Sequence, residues 1–149
     1  MDLAAPPPTL MGINAYLLSL SGKAGRDRVA DRLAALGLRM WHMSVLAALA
    51  DFGPHAQRDL SNRLGVDPSD MAKVIDQLAG LGHVGRTRDD ADRRRVLVTV
   101  TTSGRDLLAQ LLKETAAVDE ILLSGLTSTE RDQFHRLLLK VFAAARPRP

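Results

Sequence analysis

The 149-residue chain has no cysteine. This absence excludes structural disulfides, thiolate nucleophiles, reversible thiol redox sensing and cysteine-ligated zinc sites. Aromatic residues make up only 3% of the chain, so we expect aliphatic side chains to build the hydrophobic core. No apolar run approaches the ~18 residues of a membrane-spanning helix, and the leader MDLAAPPPTL lacks the basic and apolar segments of a secretory signal. These absences predict a soluble cytoplasmic protein that does not bind membranes.

Signatures of enzymes are also missing. The chain has no G-x-S-x-G nucleophile motif, no phosphate-binding loop motif and no paired-carboxylate signature. Its histidines, at positions 42, 55, 83 and 135, are scattered and lack metal-site spacing. Residues 80–85 spell G-x-G-x-x-G, but a dinucleotide site needs a strand before it and a helix after it, and the order here is the reverse. We therefore predict no catalytic residues, no cofactor and no bound metal.

The composition favours one mainly helical domain. The length matches a single ordinary domain, and the helix formers leucine and alanine are its most frequent residues. Apolar residues at three- and four-residue intervals predict helices at about residues 10–36, 39–51, 56–64, 67–80, 103–124 and from 128 onward. Gly22 and Gly25 weaken the first helix, so we expect a kink or break near Ser21. The net charge of +3 permits a polyanionic partner without identifying one.

The third and fourth predicted helices form a helix-turn-helix. Gly65 ends the third helix, and Asp67 is a good N-cap for a fourth helix with proline at its first position. A turn of about three residues is what the helix-turn-helix motif requires. The second helix of such a pair enters the major groove of DNA.

A β-hairpin with an arginine-rich tip follows. Residues 96–101 alternate as a half-buried strand does, and residues 84–88 form the partner strand. The charged residues of this segment are Arg86, Arg88, Asp89, Asp90, Asp92, Arg93, Arg94 and Arg95. The negative potential of the DNA minor groove attracts inserted arginine, which favours a DNA-binding hairpin. The alternative is a solvated loop of mixed charge.

Residues 60–104, LSNRLGVDPSDMAKVIDQLAGLGHVGRTRDDADRRRVLVTVTTSG, resemble the MarR family of bacterial transcriptional regulators. The most specific part is DRRRVLVTVTTSG, similar to the family's D-R-R and L-T-x-x-G wing, with Val100 in place of the usual leucine. Pro68 and Asp70 also depart from the usual pattern. The resemblance implies a mainly α fold with a small β-hairpin, in one domain over residues 1–149. It further implies a winged helix-turn-helix lobe over 38–101 and a dimerisation stalk from 10–36 and 103–145.

The same resemblance implies a homodimer that binds pseudo-palindromic operators in double-stranded DNA, usually as a repressor released by a small molecule. Carried over to this sequence, Arg94 enters the minor groove, Asp92 positions it, and the neighbouring arginines reach phosphates. An ion pair of Arg93 inside its own subunit is the alternative for that residue. Asp70 either reads cytosine or stabilises the helix dipole. The full set of predicted DNA contacts is Gln57, Arg58, Pro68, Ser69, Asp70, Ala72, Lys73, Gln77, Arg86, Asp92, Arg93, Arg94 and Arg95.

An effector pocket, by the same resemblance, would lie between the first, second and fifth helices. The groups nearest that place are Tyr16, Arg39, Trp41 and His42, which suit a flat aromatic acid: cations for its carboxylate and rings for stacking. The alternative is that Tyr16 and Trp41 are core residues. Two other functions stay open, a winged-helix module for protein–protein assembly and a metal-responsive regulator.

Overall fold

The computed structural model describes residues 5–146. The first four residues of the leader and the last three of the chain lie outside this description. Within residues 5–146 the chain forms six α-helices, one β-hairpin and a short 3-10 helix at Leu10–Gly12. The elements are α1 (Asn14–Ala34), α2 (Met40–Phe52), α3 (Gln57–Leu64), α4 (Pro68–Gly80), β1 (Val84–Arg88), β2 (Val96–Val100), α5 (Thr102–Leu122) and α6 (Ser128–Ala145). The predicted fold class, mainly α with a small hairpin, is confirmed.

The first helix corrects one expectation, because α1 is continuous through Ser21. Gly25 faces α5 so closely that a Cβ atom there would lie 3.2 Å from Leu122 Cδ1. The glycine lowers the intrinsic helix propensity, but it also lets the two helices approach each other. Tertiary packing therefore keeps the helix intact where the local sequence predicted a break.

Aliphatic residues build the hydrophobic core, as the scarcity of aromatic residues predicted. The buried hydrophobic residues of the described chain are all alanine, valine, leucine, isoleucine or methionine. Most of them come from α2, α3 and α4, and Leu33 of α1 and Leu111 of α5 join the same cluster. This core holds the helix-turn-helix against the long helices on either side.

Local hydrogen bonds shape the turn between α3 and α4. Gly65 follows α3 in the left-handed region with φ of 64°, which favours glycine. The Asp67 carboxylate then accepts hydrogen bonds from the Ser69 backbone N–H at 2.8 Å and the Ser69 hydroxyl at 2.6 Å. These two bonds hold the pKa of Asp67 below its usual range. The predicted N-cap therefore starts the fourth helix at Pro68.

The hairpin is tied to the rest of the chain through the middle of β2 and through the residue that follows β2. β1 and β2 pair antiparallel, with Val84 opposite Val100. His55, in the loop between α2 and α3, exchanges backbone hydrogen bonds of 3.1 and 2.7 Å with Val98. At the far end, the Thr101 hydroxyl accepts a hydrogen bond from the Gly104 N–H at 3.1 Å and so caps α5.

Candidate nucleic-acid interface

The α4 helix presents a polar face to solvent. Its buried face consists of Met71, Val74, Ile75 and Leu78. On the opposite side Pro68, Ser69, Asp70 and Lys73 are exposed, and Ala72 is half-buried. The predicted contact residues at positions 68–73 therefore lie on the solvent-facing side of this helix. Asp70 lies in the first turn of α4, where a carboxylate stabilises the helix dipole, so both interpretations of Asp70 stay open.

The neighbouring helix α3 contributes two of the predicted contacts at its start. Arg58 is exposed and Gln57 is half-buried. Both residues precede the buried Leu60, which anchors α3 in the core. At the start of α3, Arg58 is therefore more accessible than Gln57 for a contact with the phosphate backbone.

The tip of the hairpin brings Asp92 and Arg94 together. The Asp92 carboxylate accepts a hydrogen bond from the Arg94 backbone N–H at 3.1 Å, and Arg94 Nε lies 3.8 Å from the same oxygen. The Arg94 side chain is 96% exposed. A side chain so exposed, with a carboxylate beside it, is oriented without being buried in its own subunit. It can extend into a groove with no cost in core packing.

Two other wing arginines are engaged inside the chain. Arg95 forms an ion pair with Asp59 of α3, and Arg86 of β1 forms one of 2.5 Å with Asp76 of α4. Both interpretations of Arg93 stay open, since it is the neighbouring Arg95 that pairs with Asp59 within the subunit. The two pairs hold the hairpin beside both helices of the helix-turn-helix. Within residues 5–146, by contrast, the Arg94 side chain forms a single ion pair, the 3.8 Å approach to its neighbour Asp92.

A small cavity of about 100 Å³ lies between the start of α2 and the exposed side of α4. Its lining residues are Arg39, Trp41, His42, Asp70, Lys73, Val74 and Gln77. Three of the four predicted effector-binding residues therefore share one cavity, together with three predicted DNA contacts, Asp70, Lys73 and Gln77. Tyr16 is not among the lining residues, and the cavity is next to α4 rather than between α1, α2 and α5.

His42 forms the floor of this region and is buried, with 2% of its surface exposed. Its Nδ1 lies 2.9 Å from the Arg39 backbone nitrogen, and its Nε2 lies 2.8 Å from Gln77 Oε1. The Gln77 amide nitrogen donates to the Gly37 carbonyl at 3.2 Å. A hydrogen-bonded chain therefore runs from the start of α2 through α4 to the turn that follows α1.

A second surface is apolar and lies at the other end of the molecule. Between Ser128 and Arg146 only Arg131 is partly buried, and every other residue is exposed. The exposed apolar residues of α6 are Phe134, Leu137, Leu138, Leu139, Val141 and Phe142. A groove of about 860 Å³ lies between α1 and the α5–α6 region, lined among others by Leu18, Leu122 and Leu138. So much exposed apolar surface is unusual for a monomer.

Within residues 5–146, no three or more histidine or carboxylate side chains are placed together to hold a metal ion. None of the helices in that range has the length and hydropathy needed to cross a membrane.

Sequence reasoning missed the residues that position the site. Asp59 and Asp76 pair with wing arginines, and Gly104 allows the start of β1 to approach α5. Each of these contacts joins segments that are distant in sequence, and neither aspartate belongs to a local motif. The glycine of the L-T-x-x-G pattern was the one available signal, but it does not reveal which backbone atom approaches it.

Comparison with known proteins agrees with this geometry. A model of the MarR family matches residues 38–96. The transcriptional repressor NicR of Pseudomonas putida is 31% identical over 96 residues, which cover 64% of this chain and 61% of NicR, less than two thirds of that protein. The transcriptional regulator HosA of Escherichia coli is 30% identical over 101 residues, covering 68% of this chain and 75% of HosA.

Solved structures share the fold. The crystal structure of apo MarR from Escherichia coli has a TM-score of 0.77 at 24% identity, covering 86% of this chain and 95% of that one. The MarR family protein Rv2887 of Mycobacterium tuberculosis, crystallised with salicylic acid, has a TM-score of 0.71 at 27% identity, covering 95% and 99%. With its helix-turn-helix, its arginine-tipped wing and these relatives, the chain belongs to the MarR family of winged-helix transcriptional regulators.

Proposed function

We propose that this chain is a sequence-specific regulator that binds double-stranded DNA as a homodimer and acts as a ligand-responsive repressor without enzymatic activity. The observation that carries the proposal is the pairing of a polar α4 face with a wing whose tip residue Arg94 is 96% exposed. An α-helix fits the major groove, and an exposed arginine fits the narrower minor groove beside it.

The proposed contacts divide by their chemistry. Arg94, oriented by Asp92, enters the minor groove, and Arg58, Lys73 and Arg93 neutralise phosphates or read base edges. Gln57, Pro68, Ser69, Asp70 and Ala72 complete the proposed contacts along α3 and α4. Arg86, Arg95 and Gln77 are already engaged within the chain, and their proposed role is to hold the wing and α4 in place.

The proposed dimer rests on the exposed apolar surface. Residues 38–101 would form the DNA-binding lobe, and residues 10–36 and 103–145 would form the stalk that meets a second copy. The exposed apolar side chains of α1 and α6 would then be buried between the two chains. Twofold symmetry places two α4 helices on half-sites about one DNA turn, roughly 34 Å, apart, so we expect a pseudo-palindromic operator.

A small aromatic acid is the proposed effector. Its support is the group of Arg39, Lys73 and Trp41 around one cavity, which offers two cations and a ring to a flat carboxylate. The related protein Rv2887 was crystallised with salicylic acid. The cavity here holds about 100 Å³, so such a ligand would have to displace side chains as it binds.

The test is a selection of duplex DNA from a random pool, followed by titration of the enriched sequence at fixed salt. Arg94→Ala should weaken binding by about 1–3 kcal/mol, roughly fivefold to 150-fold, because an inserted arginine is lost. Arg146→Ala, at an exposed arginine outside both the proposed DNA contacts and the proposed stalk, is the matched control and should bind like the wild type. Equal affinity of Arg94→Ala and wild type would remove Arg94 from the interface. No enrichment at all would favour the protein–protein assembly module instead.

A further inference from the structure

His42, Gln77 and the turn after α1 form a chain of hydrogen bonds whose direction is determined by its two ends. The Arg39 backbone N–H can only donate, so His42 Nδ1, 2.9 Å away, must accept and carries no proton. The Gly37 carbonyl can only accept, so the group of Gln77 that faces it at 3.2 Å is the amide NH₂. Gln77 Oε1 therefore faces His42, where it needs a donor, and Nε2–H supplies it at 2.8 Å.

This polarity requires one state of the imidazole. The ring must be neutral and carry its proton on Nε2. A second proton on Nδ1 would place two donors against each other at the start of α2. Because His42 is 2% exposed, water has little access to satisfy the displaced N–H. The two facing donors repel each other, so a protonated ring is displaced from the start of α2 and its Nε2 bond to Gln77 is disturbed as well.

Gln77 lies on α4, so the same chain orients the proposed recognition helix. Both ends of its amide are used within the subunit, one on His42 and one on the turn after α1. The turn belongs to the connection between α1 and the DNA-binding lobe, and Gln77 thus attaches α4 to that connection. An amide engaged at both atoms is better suited to holding the helix than to reading a base.

We propose that His42 is a positioning residue for DNA binding: its neutral Nε2–H tautomer orients Gln77, which holds α4 against the turn after α1. The inference rests on the proposed DNA-binding function and assigns Gln77 to positioning rather than to base contact. Protonation of His42 is then predicted to loosen α4 and lower operator affinity. The ionisable groups that share its cavity are Arg39 at the start of α2 and Asp70 and Lys73 on α4.

Two substitutions of His42 separate its two bonds. Glutamine places an amide nitrogen near the position of Nε2, so His42→Gln keeps the donor to Gln77. Asparagine places an oxygen near the position of Nδ1, so His42→Asn keeps the acceptor for α2 but loses the bond to α4. We expect His42→Gln to retain operator affinity, and His42→Asn to lose roughly three- to tenfold, the worth of one hydrogen bond.

Gln77→Met keeps the length of the side chain and removes both hydrogen bonds. If Gln77 acts through the chain of bonds, Gln77→Met and His42→Asn lose similar affinity, and the double variant loses no more than the larger single loss. Additive losses, or a His42→Asn variant that binds like wild type, would return Gln77 to direct DNA contact and overturn the inference. Unfolding midpoints and molecular masses, measured in parallel, identify any variant whose loss comes from the fold.

The dependence of operator affinity on pH distinguishes the proposed role of His42 from simple destabilisation, which would not change that dependence. Wild-type affinity should fall when the pH is lowered far enough to protonate the His42 ring, and His42→Gln should lose that part of the fall. His83→Gln is the control, since its partner, the Ser103 hydroxyl at 2.7 Å, can either donate or accept. Identical profiles for wild type and His42→Gln would contradict the proposal.

Nitrogen resonances of the free protein test the tautomer without DNA. The proposal requires a protonated Nε2 and an unprotonated Nδ1 in His42 at neutral pH, and the opposite tautomer would overturn it. A wild-type chain that binds no duplex but shows this tautomer would overturn the proposed function while leaving the hydrogen-bonded chain established.

Discussion

Replacement of Gly104 by alanine is expected to destabilise the fold severely. A Cβ atom at this position would lie 2.0 Å from the His83 carbonyl oxygen and 2.9 Å from Val100 Cγ2. The carbonyl cannot easily retreat, because it accepts the Thr101 N–H at 3.2 Å, and the His83 N–H donates to Leu78 at 2.9 Å. Either the end of the hairpin or the start of α5 must therefore move.

The expected loss follows from opposing effects. Forcing extra atoms into a packed site costs about 1–3 kcal/mol and occasionally more, and the obstacle here is backbone. The higher helix propensity of alanine offsets this cost by about 0.5–1 kcal/mol. With the packing cost near the top of its range, about 3 kcal/mol, we expect a net loss of about 2 kcal/mol, which at about 2–4 °C per kcal/mol lowers the unfolding midpoint by roughly 4–8 °C.

The assay is thermal unfolding followed by circular dichroism, at one protein concentration because a dimer's midpoint depends on it. Gly80→Ala is the matched control, since Gly80 ends α4, has no atom within 4 Å of the new methyl group, and should leave the midpoint unchanged or slightly raised. If Gly104→Ala unfolds at the wild-type midpoint, the close approach of β1 and α5 described above is wrong.

Three further predictions concern the site. Lys73→Ala should weaken operator binding. If Lys73 contacts phosphate, the loss should be the same for every sequence and the slope of log affinity against log salt should shrink by about one, whereas if Lys73 reads a base, discrimination should relax at one position. Unchanged affinity and slope would remove α4 from the interface. Because hydrogen bonds lower the pKa of Asp67, the stability that wild type has over Asp67→Ala should be fully present at neutral pH. It should be lost below about pH 4, as the carboxylate protonates, and a pH-independent difference would refute the charged cap. Salicylate-like acids should release the preformed DNA complex at millimolar concentration, whereas release by zinc and not by these acids would exclude the proposed cavity chemistry.

Features determined by local sequence were predictable. Asp67 followed by Pro68 is an N-cap with proline at the first helical position, and the structure starts α4 there. The alternation of residues 96–101 likewise predicted β2 correctly. These signals involve neighbours along the chain, whose physics does not depend on the rest of the fold.

Features determined by packing were not predictable. The sequence pattern alone predicted a kink or break of α1 near Ser21, whereas the helix is continuous and Gly25 packs against Leu122 of α5. The ion pair of Arg95 with Asp59 joins residues 36 positions apart, and the His42–Gln77 bond joins residues 35 positions apart. Such contacts engage charged and hydrogen-bonding groups of the site within the protein. A list of exposed polar residues therefore overstates how many side chains are available to contact DNA.

The most direct test of the central claim is the salt dependence of binding to the selected duplex. Each phosphate that the protein neutralises adds about −0.9 to the slope of log affinity against log salt. If two protomers each bring Arg58, Lys73, Arg93 and Arg94, about four to eight phosphate contacts predict a slope between roughly −4 and −7. A slope near zero, or binding that does not distinguish the selected duplex from a scrambled one, would contradict the assignment of this winged helix to operator recognition.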